Sequence, residues 1–204
     1  MQRRWKVFLI IAFVSLIADQ ATKYWARESL PVLRGTQVTE CDIPDDIVAR
    51  KCFGKDDWLI GDECKSHTDC PGIHLGWRLS FNPGSAFGLF HSADGARWFL
   101  SIIGVLAVFG MIWMVKKARE DQKALIWALG LVAGGAIGNL IDRIYFGVVT
   151  DFVLWHWKDK EWPVFNVADV ALVIGVALMF LDIQKEGRAE KARARAAASA
   201  KPGA

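Results

Sequence analysis

Metal-binding and thiol side chains are scarce in this sequence, with four histidines and four cysteines in 204 residues. No C-x-x-C pair occurs, and His67 and His74 do not stand at zinc-finger spacing, so no structural metal is expected. H-E-x-x-H, P-loop and dinucleotide fingerprints are missing, which removes the zinc proteases and nucleotide enzymes that carry them. The histidines are scattered, and no Ser/His/Asp or Cys/His set presents itself. Amphipathic spacing is also lacking, because the apolar residues come in blocks. No nucleic-acid partner and no organic cofactor is expected.

What is present is apolar mass: 53% of residues are hydrophobic, ten of them Trp. Four blocks approach the roughly 20 residues needed to cross a bilayer core at about 1.5 Å per residue. They are Trp5 to Ala18, extended by a mixed run to Ala26; Trp98 to Val115; Ala124 to Ile141; and Val164 to Ile183. The net charge of +3 hides an asymmetry. Arg3, Arg4 and Lys6 precede the first block, Lys116, Lys117, Arg119 and Lys123 fill the turn between the second and third, and six more cations follow the fourth. Short loops rich in Lys and Arg stay cytoplasmic, so both termini and the 116–123 turn are assigned inside, with 27–97 and 142–163 outside. The start resembles a signal peptide, but DQATKYWA offers no clean small-x-small cleavage site, which favours an uncleaved first span. The predicted organisation is a four-span domain over 1–184 (spans about 5–26, 98–115, 124–142 and 164–183) with an external insert at about 36–73. A basic, Ala-rich tail at 185–204 is expected to be solvated or headgroup-associated and disordered in part.

The long external loop holds every cysteine: Cys41, Cys52, Cys64 and Cys70. Confinement to a non-cytoplasmic loop points to two disulfides in an oxidising compartment, with all three pairings open. After them, IHLGWRLSF alternates around Trp77, Leu79 and Phe81 as a short strand would. Asn82-Pro83-Gly84-Ser85 then supplies turn chemistry, with Asn82 either a turn residue or a polar group aimed at a site.

Polar residues gather at span ends. Asp19 and Lys23 read most simply as an i,i+4 ion pair ending the first span. The alternative has Lys23 reaching the headgroup region above a site supported by Asp19. In the third span Gly134, Gly135 and Gly138 allow close helix approach. Asn139, Asp142 and Arg143 end it, as a local salt bridge and cap or as a polar cluster. Asp151 lies in the β-branched, extended-looking stretch GVVTDFVL. Trp155, Trp157 and Trp162 fit an interfacial belt or an amphipathic segment on the membrane, and His156 among them is set aside as a base. Asn166 and Asp169 stand as N-cap and N3 of the fourth span, which accounts for Asp169 but not for Asp151.

Ionisable groups at a membrane boundary are costly unless they pair, hydrate or work. Asp151 and Asp169 approach from either side of one loop. Two close carboxylates share a proton, so one can activate water while the other polarises a carbonyl, as an aspartic protease requires. A carboxylate-dependent transporter or a non-catalytic scaffold competes with this reading. Against transport stand the absence of an inverted repeat and the clustering of acids at one boundary.

The same residues carry a family resemblance. D-Q-x-T-K at Asp19 to Lys23, N-x-G-x-A-F-G at Asn82 to Gly88, G-N-x-x-D-R at Gly138 to Arg143, V-x-D-F around Asp151 and F-N-x-A-D at Phe165 to Asp169 appear in order. Together they resemble lipoprotein signal peptidase (signal peptidase II) of the bacterial plasma membrane. The resemblance implies a mainly α fold of four transmembrane helices with a small external β-sheet, and Asp151 and Asp169 as the catalytic pair. It places Asp19, Lys23, Asn82, Gly84, Gly138, Asn139, Asp142, Arg143 and Asn166 around them. It implies a diacylglyceryl-prolipoprotein substrate cut on the amino side of the lipidated cysteine, inhibition by globomycin-type cyclic peptides, a lipid environment and no cofactor. The active site would lie near the external face of the inner membrane. The cysteine-rich insert and the tail depart from the family pattern.

Overall fold

The computed structural model describes residues 2–30, 73–84, 93–157 and 160–199. The four cysteines, Ser85 to Gly88 and most of the external insert lie outside the described residues. Among the described residues seven elements follow one another: helix α1 (Arg3–Ser29), strand β1 (Ile73–Asn82), helices α2 (Ala93–Lys117) and α3 (Lys123–Tyr145), strands β2 (Val149–Trp157) and β3 (Lys160–Phe165), and helix α4 (Val167–Ser199). All four helices are long and apolar enough to cross a membrane.

Helix α3 is the hub. Of its apolar window 61% is buried inside the protein, against 22% for α1, 11% for α2 and 22% for α4. Composition explains the difference, because small residues let its neighbours come close. A Cβ at Gly130 would stand 2.8 Å from Ile11 Cβ, and one at Gly138 would collide with the Asp19 carboxylate. These positions and Gly134 recur every four residues, so α3 turns one smooth stripe to α1. Gly135 faces α4, where an added Cβ would stand 2.7 Å from Ala168 O. Helix α2 has no such stripe. Its Trp98, Ile102, Leu106, Phe109 and Trp113 are exposed, as lipid-facing side chains are.

The sheet is antiparallel in the order β1-β2-β3. Strand β2, rich in Val and aromatics, takes the centre. Strand β3 contains Pro163, which lacks a ladder donor and is tolerated because β3 is an edge. Its presence shortens the fourth span: the chain is paired with β2 up to Phe165, and α4 begins at Val167 instead of near Val164. Trp155, Trp157 and Trp162 accordingly belong to strands β2 and β3, with Trp155 paired to Trp162. The strand expected around Trp77 to Phe81 is β1.

Two apolar cores bracket the polar residues. Phe8, Val115, Ala118, Leu125, Ile126, Leu129 and Ala133 close one end of the bundle. Ala26, Leu30, Leu79, Phe81 and Phe152 seat the sheet on the other, with Trp77 stacked on Phe152 at 6.1 Å. Past the apolar run, α4 continues to Ser199, so the helix takes in residues 185–199 of the basic tail. Its Ala, Lys, Arg and Glu content favours that extension.

Candidate active site

Between the two cores, residues from α1, β1, α3, β2 and the start of α4 meet. Asp169 is fixed by a reciprocal cap: its N–H donates to Asn166 Oδ1 (3.0 Å), and Asn166 N–H donates to Asp169 Oδ2 (3.2 Å). The remaining oxygen, Oδ1, accepts from Asn139 Nδ2 at 2.9 Å. Asp151 projects from β2 opposite Ser80 of β1. Asn82 is then its diagonal neighbour on the same face, and Asn82 Nδ2 donates to Asp151 Oδ2 at 3.1 Å. The Asn82 amide is aimed by the following turn, where Gly84 N–H donates to Asn82 Oδ1 at 2.8 Å with Gly84 at φ +90°. That left-handed conformation suits glycine. Asn82 is thus both a turn residue and a hydrogen-bond partner of Asp151.

One side chain joins the two acids. Asn166 caps α4 with its Oδ1 while its Nδ2 donates to Asp151 Oδ1 at 2.6 Å, with Asn139 Oδ1 and Thr150 O at 3.2 and 3.3 Å. The cap that accounts for Asp169 therefore also positions Asp151.

Two further aspartates brace the backbone beside each of these acids. Asp19 Oδ1 accepts the N–H of Ala168, one residue before Asp169, at 2.9 Å. Asp142 Oδ2 accepts the N–H of Thr150, one residue before Asp151, also at 2.9 Å. Lys23 lies between them, with Nζ 3.0 Å from Asp19 Oδ2, 3.4 Å from Asp142 Oδ2 and 2.8 Å from Asn139 Oδ1. Its three ammonium protons are matched by three acceptors. The reading of Asp19 and Lys23 as a local pair ending the helix is corrected here. They do pair, but Lys23, Asp19 and Asp142 are all 0% exposed, and Lys23 turns inward, not towards headgroups. Burial forces the correction, since an ammonium in this core must gather acceptors from wherever the fold supplies them. Gly138 leaves the room that the Asp19 carboxylate occupies.

Asp142 and Arg143 do not form the local pair that adjacency offers. Asp142 engages Lys23, Thr150 and, at 3.6 Å, Arg27. Arg143 Nη1 reaches Asn139 O at 3.4 Å, and its charge lies within electrostatic reach of Asp169, Asp151 and Asp142. Lys23, Arg27 and Arg143 therefore face Asp19, Asp142, Asp151 and Asp169, and one bound proton leaves the group neutral. Burial first, and the Asp169 charge second, push the Asp151 carboxyl up to about 7, against the pull of Asn82, Asn166 and Lys23. Among the described residues, no group of three or more His, Cys, Asp or Glu side chains is arranged to hold a metal ion.

Some contributors escaped sequence reasoning. Arg27 donates to Thr150 Oγ1 at 2.8 Å and lies 4.4 Å over the Phe146 ring. It sits four residues after Lys23 on the same helix face, a periodicity that could have marked it. Gln20 Nε2 bridges Asp19 Oδ2 and Gly138 O, both at 3.1 Å. Arg97 caps the end of α3 through Arg143 O (2.7 Å) and Ile144 O (2.9 Å), a contact with no local signal. His156 lies in β2 towards the end away from Asp151.

Comparison with known proteins gives this arrangement a family context. A family model described as signal peptidase (SPase) II matches residues 11–185. A lipoprotein signal peptidase of Polynucleobacter necessarius is 33% identical over 173 residues, covering 84% of this chain and 85% of the relative. One from Pseudomonas putida is 33% identical over 187 residues and covers 90% of each chain. A solved structure described as a bacterial membrane enzyme superposes with a TM-score of 0.61 at 25% identity, covering 88% of both chains.

Proposed function

The chain belongs to the signal peptidase II family of membrane aspartic proteases, which process prolipoproteins, and from that premise we propose that Asp151 and Asp169 are its catalytic pair. The observation that carries the assignment is Asn166, whose Nδ2 donates to the Asp151 carboxylate while its backbone N–H donates to the Asp169 carboxylate. In the proposed reaction Asp169 takes a proton from a water. That water attacks the carbonyl carbon of the scissile peptide, while the protonated Asp151 donates to the carbonyl oxygen. Collapse of the tetrahedral species breaks the C–N bond: one hydroxyl returns its proton to Asp151 as the carbonyl reforms, and Asp169 passes the proton taken from water to the leaving amine. The proton belongs to the pair, and its position alternates through the cycle.

The proposed substrate is a prolipoprotein whose cysteine already carries diacylglycerol, cut on the amino side of that cysteine. A globomycin-type cyclic peptide is proposed to occupy the same cleft. Asp19, Lys23, Asn139, Asp142 and Asn166 are positioning residues in this scheme: Asn139 and Asn166 bond the acids, Asp19 and Asp142 hold the backbone one residue before them, and Lys23 holds Asp19, Asp142 and Asn139. Both termini are proposed to face the cytoplasm, with the acids near the external face, from the cation distribution.

The test is cleavage of a lipidated prolipoprotein by purified protein. Asp151→Asn and Asp169→Asn keep the shape and most hydrogen bonds but cannot exchange the proton. Each should slow cleavage on the order of 10³-fold or more while the protein still inserts and accumulates. Turnover near the wild-type rate in either folded variant would remove the pair from the chemistry.

A further inference from the structure

Helix α2 is the least buried of the four, yet its first turns touch two supports of the acid pair. Ala96 and Leu100 stand one turn apart on one face of that end. They close on Gly84, where an added Cβ would collide with Leu100 Cδ1 and stand 3.7 Å from Ala96 Cβ. Gly84 is the residue whose N–H aims the Asn82 amide at Asp151. Arg97 reaches the other way. Its Nε donates to Arg143 O at 2.7 Å and its Nη2 to Ile144 O at 2.9 Å. Both carbonyls lie in the last turn of α3, where C=O groups have no partner within the helix and the macrodipole is negative. A guanidinium answers both conditions. Gly147, at φ +79°, then turns the chain towards β2 beside the same group, with an added Cβ 3.5 Å from Arg97 Nη1.

Arg143 needs such a hold. Among the described residues its side chain makes one long hydrogen bond, 3.4 Å to Asn139 O of its own helix, and its Nε is buried with no partner. Side-chain bonds therefore do little to fix where its charge stands relative to Asp151 and Asp169. The backbone that carries it must do so, and Arg97 grips that backbone at the Arg143 carbonyl itself. The same turn carries Asp142, whose carboxylate holds Thr150 N–H next to Asp151.

We propose that Arg97 is a positioning residue for cleavage. By pinning the last turn of α3 it fixes the Arg143 charge beside the acid pair, while the same end of α2 holds the Asn82 turn. The inference rests on Asp151 and Asp169 being the catalytic pair. A helix cap with no further role would make the same two hydrogen bonds, so turnover and not stability separates the two.

The experiment measures kcat and KM of the full chain for a lipidated prolipoprotein. Arg97→Gln should lower kcat about 10- to 100-fold with KM unchanged, the loss that misplacing a group at the site by about 1 Å produces. Arg97→Lys keeps the charge but cannot span both carbonyls, and its kcat should fall between that of Arg97→Gln and wild type. Arg143→Gln should itself be slow, and adding Arg97→Gln to it should cost no further kcat, because the group being positioned is gone. Wild-type kcat in Arg97→Gln or in Arg143→Gln overturns the inference. So does an equal loss of kcat from Arg97→Gln in both backgrounds, which is the mark of a cap alone, or a rise in KM at unchanged kcat. If Arg97→Gln does not accumulate, Arg97→Lys in the two backgrounds decides by the same comparison. In each of these failures Asp151→Asn stays inactive. Turnover retained by Asp151→Asn would instead remove the acid pair, and this inference with it.

Discussion

At one end of the bundle, Arg119 pairs with Asp121 at 3.1 Å and with Glu186 at 2.8 Å, with the three side chains 37 to 74% exposed. At the other, Lys23 lies 3.0 Å from Asp19 and 3.4 Å from Asp142, all at 0% exposure. The pair distances are alike, so geometry alone does not distinguish the two ends. Water does. An exposed pair exchanges one set of partners for another at little net gain. A buried ammonium without acceptors would carry an uncompensated charge, so its partners are obligatory and their positions are fixed. Fixed positions are what a reaction needs. The enclosed end has the carboxyl pushed up to about 7, and the exposed end has ion pairs that can be remade in solvent.

The comparison can be broken outright by topology, where the expected effect is all or none. In a background without native cysteines, a cysteine at Trp58 should react with an impermeant reagent in spheroplasts, and one at Arg119 should not. The reversed pattern would put the acids on the cytoplasmic side and end the assignment of the two ends.

Next in size is the cost of removing one charge from each end. Lys23→Met strands two buried carboxylates and should destabilise the protein by about 3–5 kcal/mol, read from unfolding in detergent. Arg119→Ala should leave the unfolding midpoint unchanged. Similar losses at both ends would mean that burial is not what separates them.

A third measurement sharpens the picture within the buried end. Asp151 is neutral below about 7 and ionised above it, so cleavage should decline as pH rises through that value. Asn82 donates to the Asp151 carboxylate and favours its charged form. Asn82→Ala should therefore move the alkaline limb to higher pH. A limb that stays put or moves towards acid would separate the titration from Asp151.

The smallest effect on cleavage is expected from the external insert. Converting Cys41, Cys52, Cys64 and Cys70 to Ser should leave cleavage measurable, while heat and protease resistance of the loop fall with the loss of ~2–4 kcal/mol of local cross-linking. Four free thiols in protein from its native membrane would refute the two disulfides. A Ser variant that binds globomycin but cannot cleave would give the loop a part in placing substrate.

Much of the site was legible because its residues sit in short local patterns. Asn166 and Asp169 are three apart, as a capping box requires, and the structure closes that box. Asp151 follows a β-branched run, and β2 is extended through it. What escaped were meanings that depend on distant partners. Spacing gave Lys23 one neighbour, Asp19, but its other acceptors, on Asn139 and Asp142, come from a helix more than a hundred residues away. Adjacency joined Asp142 to Arg143, while the fold turns Asp142 to Thr150 instead. Arg97 carries no pattern at all, since the carbonyls it caps belong to another helix.

The sequence by itself determined four apolar spans, the clusters of cations beside them and the five motifs, because hydropathy, charge bias and capping are properties of short stretches of chain. Tertiary structure decided that α3 is the hub, that the stretch before Asn166 is an edge strand and that Asn166 serves both acids. It also decided which charges are buried. Burial is set by what packs against a side chain, and for Lys23 and Asp142 those neighbours come from parts of the chain that only folding brings together.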